Sequence, residues 1–438
     1  MKHSRRLLPL LLLVLLLAAR IPLRGQTLLD DYRRDVLRYS RALKMAASAS
    51  RAAGERLAVA RTGYLPRLSL DGSFSVAMRR SEGAKPWSFG VTPQLVQTLY
   101  GGGAVRAAVD EASLGSDIAL CDEEFTRFEV CYSAEYTYWN LSAMEEFAAS
   151  MRRYVGLIRS LKEVVDYRFS EGYVARSDVL MIDARLSEAA YELLTAERNL
   201  AVARHNFNLL RGAAGEQQAR LAQSIRDTLP LPARVAADEV LERRADLRAA
   251  RLAGERAAAG VRAVRSEYNP RLSVGVGASW RPPSPNRTGS TLLDGEAFVQ
   301  LSVPIFHGGE RRRAVRAART EQARTVWQEA QLRDDVVREE MNGWTTMVQA
   351  RAQVVASEQS LRIAGENLEI STYSYGEGQA SILDVLQAQL SWIQLYTNAI
   401  QSRYNYAVAV ADYRRITATP AEELGGGSRG AKSRTVEE

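Results

Sequence analysis

Residues 373–386 read YSYGEGQASILDVL, and residues 167–180 read YRFSEGYVARSDVL, a constant 206 positions upstream. Six of the fourteen positions are identical, among them Glu171/Glu377, Gly172/Gly378 and Asp178/Asp384. Each copy lies between two long stretches of helical character. A Gly just past a helix end accepts the left-handed conformation that stops the helix. Ser381 with Asp384 three positions on is a start signal for the next helix. Each copy therefore reads as the tip of a helical hairpin, and the chain has two.

The tips sit inside two matching halves. Residues 28–62 are helix-like and stop at Tyr64-Leu65-Pro66. Leu68, Leu70, Phe74 and Val76 then alternate with Ser69, Asp71, Ser73 and Ser75, the period of a strand. A second apolar alternation follows a polar break at 79–86 and ends at Gly101-Gly102-Gly103. Residues 105–167 lack Pro and read as one helix of roughly 90 Å. The pattern restarts near Asp238. Tyr268-Asn269-Pro270-Arg271-Leu272-Ser273 repeats residues 64–69, and Phe306-His307-Gly308-Gly309 repeats residues 100–103.

The expected organisation is a signal peptide at 1–25 and a first repeat at 26–211 with β-hairpin 67–100 and tip 167–180. A connector at 212–237 leads to a second repeat at 238–417 with β-hairpin 271–306 and tip 373–386, then a disordered tail at 418–438. The leader has a basic start (Lys2, Arg5, Arg6) and an apolar run at 7–19 that is too short to span a bilayer. The formal charge is +7, but five of those cations lie in the first 25 residues. The processed chain lacks the clustered basic character that nucleic acid requires.

Each of the four strands has an apolar row about ten residues long, the reach of a tilted membrane strand. The alternate row is Ser, Asp, Gly, Thr and Gln, suited to a watery lumen. Four strands cannot close a barrel, and open edges do not survive in lipid. Oligomers that meet the eight-strand minimum include a dimer and a trimer. The competing class is a soluble periplasmic coiled-coil scaffold or adaptor, which explains the helices but not the strands. Chemistry finds no foothold. His205 and His307 stand alone, no metal-ligand spacing exists, and no phosphate loop is formed, so no enzyme activity, cofactor or metal is expected. Cys121 and Cys131 fall on one helix about 15 Å apart, too far for a disulfide.

With the duplicated architecture, Tyr-Leu-Pro-Arg-Leu-Ser, the paired glycines, both Glu-Gly-x-x-x-x-x-Asp-Val-Leu tips and Arg243-Arg244-Ala245-Asp246-Leu247, the chain resembles the TolC family of outer-membrane efflux proteins over residues 28–417. Ala245 stands where that family commonly has Pro. The resemblance implies a mainly α fold with a transmembrane β-barrel contribution. Duplicated long-helix hairpins form an α-helical tunnel in the periplasm, and four strands per chain complete a 12-stranded barrel in a homotrimer. It implies an outer-membrane channel for efflux or type I secretion, embedded in outer-membrane lipid. Its expected partners are a periplasmic adaptor and an inner-membrane transporter. Carried over by position, the constriction falls on Asp384, Gln387 and Tyr375. The partner contacts of the tips fall on Ser177, Asp178, Gly172 and Gly378. The usual basic companion of the tyrosine falls at Ala380, so that tie is expected to be missing. The plain alternative for Asp384 is a helix-start residue held by the macrodipole.

Overall fold

The computed structural model describes residues 27–76, 78, 87–227, 229–280 and 293–419. The leader at 1–25, the polar break at 79–86, the loop at 281–290 and most of the 418–438 tail lie outside the described residues. The elements run α1 (Leu29–Tyr39), α2 (Arg41–Arg61), β1 (Arg67–Val76), β2 (Trp87–Tyr100), α3 (Ala104–Ser170) and α4 (Arg176–Leu210). Then come α5 (Ala237–Arg243), α6 (Ala245–Ser266), β3 (Arg271–Trp280), β4 (Leu293–Ser302), α7 (Glu310–Gly376) and α8 (Ile382–Ile416). The duplication extends to element lengths. Helices α3 and α7 have 67 residues each, and α4 and α8 have 35 each.

The helix-like stretch at 28–62 and the one that restarts near Asp238 are each broken once. Ser40 takes φ −45° and ψ 119°, and its hydroxyl accepts from the N–H of Leu43 at 3.2 Å. Arg244 takes φ −66° and ψ 120° and grips Asp246 through two hydrogen bonds of 2.9 and 2.6 Å. Neither break uses Gly or Pro. Ala245 is the first residue of α6, where the missing N–H of a Pro would cost nothing.

The chain divides into two compact units that cut across the repeats. One comprises 44–126 and 244–337 and contains an antiparallel sheet of order β1-β2-β3-β4. Its register places Leu68 opposite Leu95, Phe74 opposite Phe89, Leu95 opposite Val276, and Val274 opposite Val299. Opposed residues share a face, so one apolar row runs unbroken across all four strands. It is bare: Leu68, Leu70, Phe74 and Val76 are 61–77 % exposed. The reverse face carries Ser69, Asp71, Gln94, Ser273 and Gln300. Phe298 breaks that polarity by lying over Gly275, where a Cβ would come within 2.5 Å of its ring. An aromatic covering a strand glycine stiffens it.

The other unit comprises 1–43, 127–243 and 338–438. Its core is aromatic: Tyr32 stacks on Phe207 at 4.0 Å, beside Tyr138 and Trp139. The connector is tied to this core by two matching staples. Arg226 donates to Glu146 at 2.6 Å, and the Tyr396 hydroxyl donates to the same carboxylate. Arg234 grips Glu340 at 3.0 and 3.1 Å, with the Tyr413 hydroxyl donating at 3.2 Å. Glu340 is almost fully buried, and a buried carboxylate persists only when paired and hydrogen-bonded. Cys121 and Cys131 are both free, on α3.

Candidate functional site at the hairpin tips

Both tips are built by the same stop. Gly172 and Gly378 each take φ +78°, the left-handed region. At the first tip Gly172 N–H donates to Phe169 and Tyr173 N–H to Arg168; at the second, Gly378 N–H donates to Tyr375 and Gln379 N–H to Ser374. These paired bonds close the last carbonyls of α3 and α7. The restarts differ. Helix α4 begins after Ala175, which has no side chain to cap it. Helix α8 begins after Ser381, whose hydroxyl accepts from Asp384 N–H at 3.3 Å while the Asp384 carboxylate accepts from Ser381 N–H at 2.9 Å and from its hydroxyl at 2.8 Å.

Asp384 is therefore a capping residue, and that bonding holds its carboxyl below the ordinary carboxylate range. The cap preserves the charge. Asp384 and Gln387 lie three residues apart on the exposed face of α8, while Ile382, Val385, Leu386 and Ala388 turn into the core. A fixed anion and a neutral amide thus share one helical face.

Tyr375 is buried on the last turn of α7. The tie expected to be missing at Ala380 is supplied from elsewhere. Arg168, on the last turn of α3, places its guanidinium 4.6 Å over the Tyr375 ring and donates to Gly376 O at 2.8 Å. The phenol is pushed up by burial, opposed by the Arg168 charge, with a smaller upward push from Asp178. Its hydroxyl is buried without a hydrogen-bond partner among the described residues. The structure thus brings Tyr375 and Arg168 together across the two tips, with Asp178 on the first turn of α4. Gly172 and Gly378 stay exposed at the turns, and Ser177 stays exposed on the first turn of α4. Arg168 escaped the sequence reading. The signal was a difference between copies, because the position matching Arg168 in the second copy is Ser374.

Among the described residues no group of His, Cys, Asp and Glu could hold a metal ion. No helix among them is long and apolar enough to cross a membrane.

Twinned helical hairpins, each continuous in sequence with a β-hairpin whose apolar face is bare, define a class of protein that enters a membrane through its strands. The sequence profile of the outer membrane efflux protein family matches residues 33–216 and again 236–419, once per repeat. The outer membrane efflux protein BepC of Brucella suis biovar 1 (strain 1330) is 23% identical over 387 residues, covering 85% of this chain and 81% of that one. The outer membrane protein TolC of Escherichia coli (strain K12) is 23% identical over 398 residues, covering 87% and 80%. In three dimensions the Campylobacter jejuni CmeC outer membrane channel superposes with a TM-score of 0.77 at 18% identity, covering 89% of this chain and 85% of that one. The chain belongs to the outer membrane efflux protein family. It is an outer-membrane channel of tripartite efflux systems, with a helical tunnel on the periplasmic side.

Proposed function

We propose that three copies assemble into a 12-stranded barrel continued by a helical tunnel, giving substrates passive passage from the periplasm to the exterior. The observation that carries this is the four-stranded sheet, which leaves β1 and β4 as open edges beside an exposed apolar face. In lipid such edges have to be paired. A periplasmic adaptor meets the tips around Ser177, Asp178, Gly172 and Gly378 and connects them to an inner-membrane transporter. The constriction lies at Asp384, Gln387 and Tyr375. Three Asp384 carboxylates around one axis favour cations, and Gln387 leaves that ring a single acidic layer.

Native mass spectrometry in detergent is expected to show three copies; a stable detergent-free monomer would end the channel reading. In planar bilayers Asp384→Asn should lower cation preference and block by trivalent cations while keeping an acceptor for the Ser381 N–H. Ser381→Ala should lower thermal stability and leave selectivity alone. If the two variants behave alike, with selectivity unmoved, Asp384 serves only as a cap.

A further inference from the structure

The first three turns of α7 carry Arg311, Arg312, Arg313, Arg316 and Arg319, with no acidic residue between Glu310 and Glu321. All five are exposed, and among the described residues none is joined to an acidic side chain. They stand at the wrong end of the helix, because the N-terminus carries the positive pole of the macrodipole and favours anions. A local rule broken five times within three turns calls for a compensating partner.

The duplication supplies an internal control. The same five positions in α3 are Val105, Arg106, Ala107, Asp110 and Ser113. There Asp110 takes Arg262 at 2.9 Å, and neighbouring Glu111 faces Arg256 at 3.7 Å. The first copy balances its charge within the chain, and the second copy does not.

What lies just before the cluster identifies the partner. The apolar row of β4 continues past the strand end through Val303 to Ile305, with Phe306 beside it; the last two are 92% and 83% exposed. Arg311 lies six positions after Ile305, at most about 20 Å of chain. An exposed apolar and aromatic edge followed directly by cations is the order met on leaving a bilayer through its headgroups. We propose that these five arginines bind the phosphates of anionic phospholipid at the periplasmic edge of the barrel. Guanidinium forks suit phosphate oxygens. This inference rests on the outer-membrane setting of the sheet and not on the tip constriction, so either can fail without the other.

The test uses the full-length protein in detergent, titrated with phosphatidylglycerol or with phosphatidylcholine of the same acyl chains, bound lipids being counted by native mass spectrometry. The wild type should retain phosphatidylglycerol about tenfold better, a preference that fades in high salt. Replacing all five arginines by Gln should abolish the preference, and replacing them by Lys should keep most of it. Should the fivefold Gln variant not fold, Arg316→Gln with Arg319→Gln gives the same reading at smaller loss. An unchanged preference in the Gln variants overturns the proposal. So does a shift in ion selectivity with lipid binding intact, which would place the arginines on the conducting path.

Discussion

Arg168 links the two tips. Its guanidinium covers the Tyr375 ring and bonds the carbonyl of Gly376, so one side chain ties the last turn of α3 to the last turn of α7. A cation over a ring contributes about 0.5–1 kcal/mol when partly exposed. A charged hydrogen bond adds about 1.5–3 kcal/mol. Arg168→Ala should therefore loosen the tip and raise single-channel conductance in planar bilayers. Tyr375→Ala should do the same. Tyr375→Phe should stay close to wild type, because the hydroxyl makes no hydrogen bond among the described residues. A Phe variant as leaky as the Ala variant would show instead that the hydroxyl holds the tip. This tie was out of reach of the sequence for a physical reason. Arg168 and Tyr375 lie 207 positions apart in different copies, and side-chain spacing within one helix reports only on neighbours three and four residues away. The turn glycines were legible because a helix stop is a local event.

Between elements, each copy retains a device that the other has lost. Gly212 ends α4 at φ +78°, and Ala418 ends α8 at φ +48° with the matching pair of backbone bonds. An L-residue in that region is strained by roughly 1–2 kcal/mol. Ala418→Gly should therefore raise the melting temperature, with a gain of about 0.5–1 kcal/mol after the glycine's added unfolded-state entropy. Gly212→Ala should be strongly destabilising, since its Cβ would meet the Tyr39 ring at 2.3 Å. Conversely, Ala175 has φ −80° and ψ 159°, almost the backbone of Ser381 at −83° and 160°. Ala175→Ser should complete a cap with Asp178 and add about 1 kcal/mol. The Arg226–Glu146 staple adds a pH dependence. Burial alone would raise the Glu146 carboxyl, but hydrogen bonds from Arg226 and Tyr396 hold it below its ordinary 4.5. A depressed carboxylate contributes stability above its unfolded pKa and loses it as pH falls through the folded value. Glu146→Gln should accordingly lower stability at neutral pH and flatten the loss below about pH 4.5, measured by melting at a series of pH values. Breaks such as Ser40 and Arg244 were invisible in sequence because they carry neither Gly nor Pro; their cause is a hydroxyl in one and a part-buried ion pair in the other.

A single chain is left with surfaces that water does not tolerate. Besides the open sheet, α4 exposes Leu180, Tyr191, Leu194, Val202 and Leu209, and α7 exposes Met341, Val348, Val355, Ile363 and Ile370. The α7 residues recur at steps of seven or eight, the spacing of a coiled-coil seam. Periodicity of this kind shows that a helix packs along a stripe, but not against what. Among the described residues these α7 side chains stay exposed, and an exposed apolar stripe of this kind marks an interface. The stripes on α4 and α7 differ in composition, which suits a head-to-tail contact repeated around a closed ring. Placing a carboxylate in each seam should separate the copies without unfolding them, because both positions are exposed in the lone chain. Leu194→Glu with Val348→Glu is expected to shift the proposed trimer to monomer by native mass spectrometry, with far-ultraviolet circular dichroism keeping its helical signal. Leu194→Lys with Val348→Glu should restore some assembly, since opposite charges would then meet across the seam. A trimer that survives the double Glu variant would place the contact on other faces, and recovery absent in the Lys–Glu pair would show that α4 does not meet α7 of the next copy.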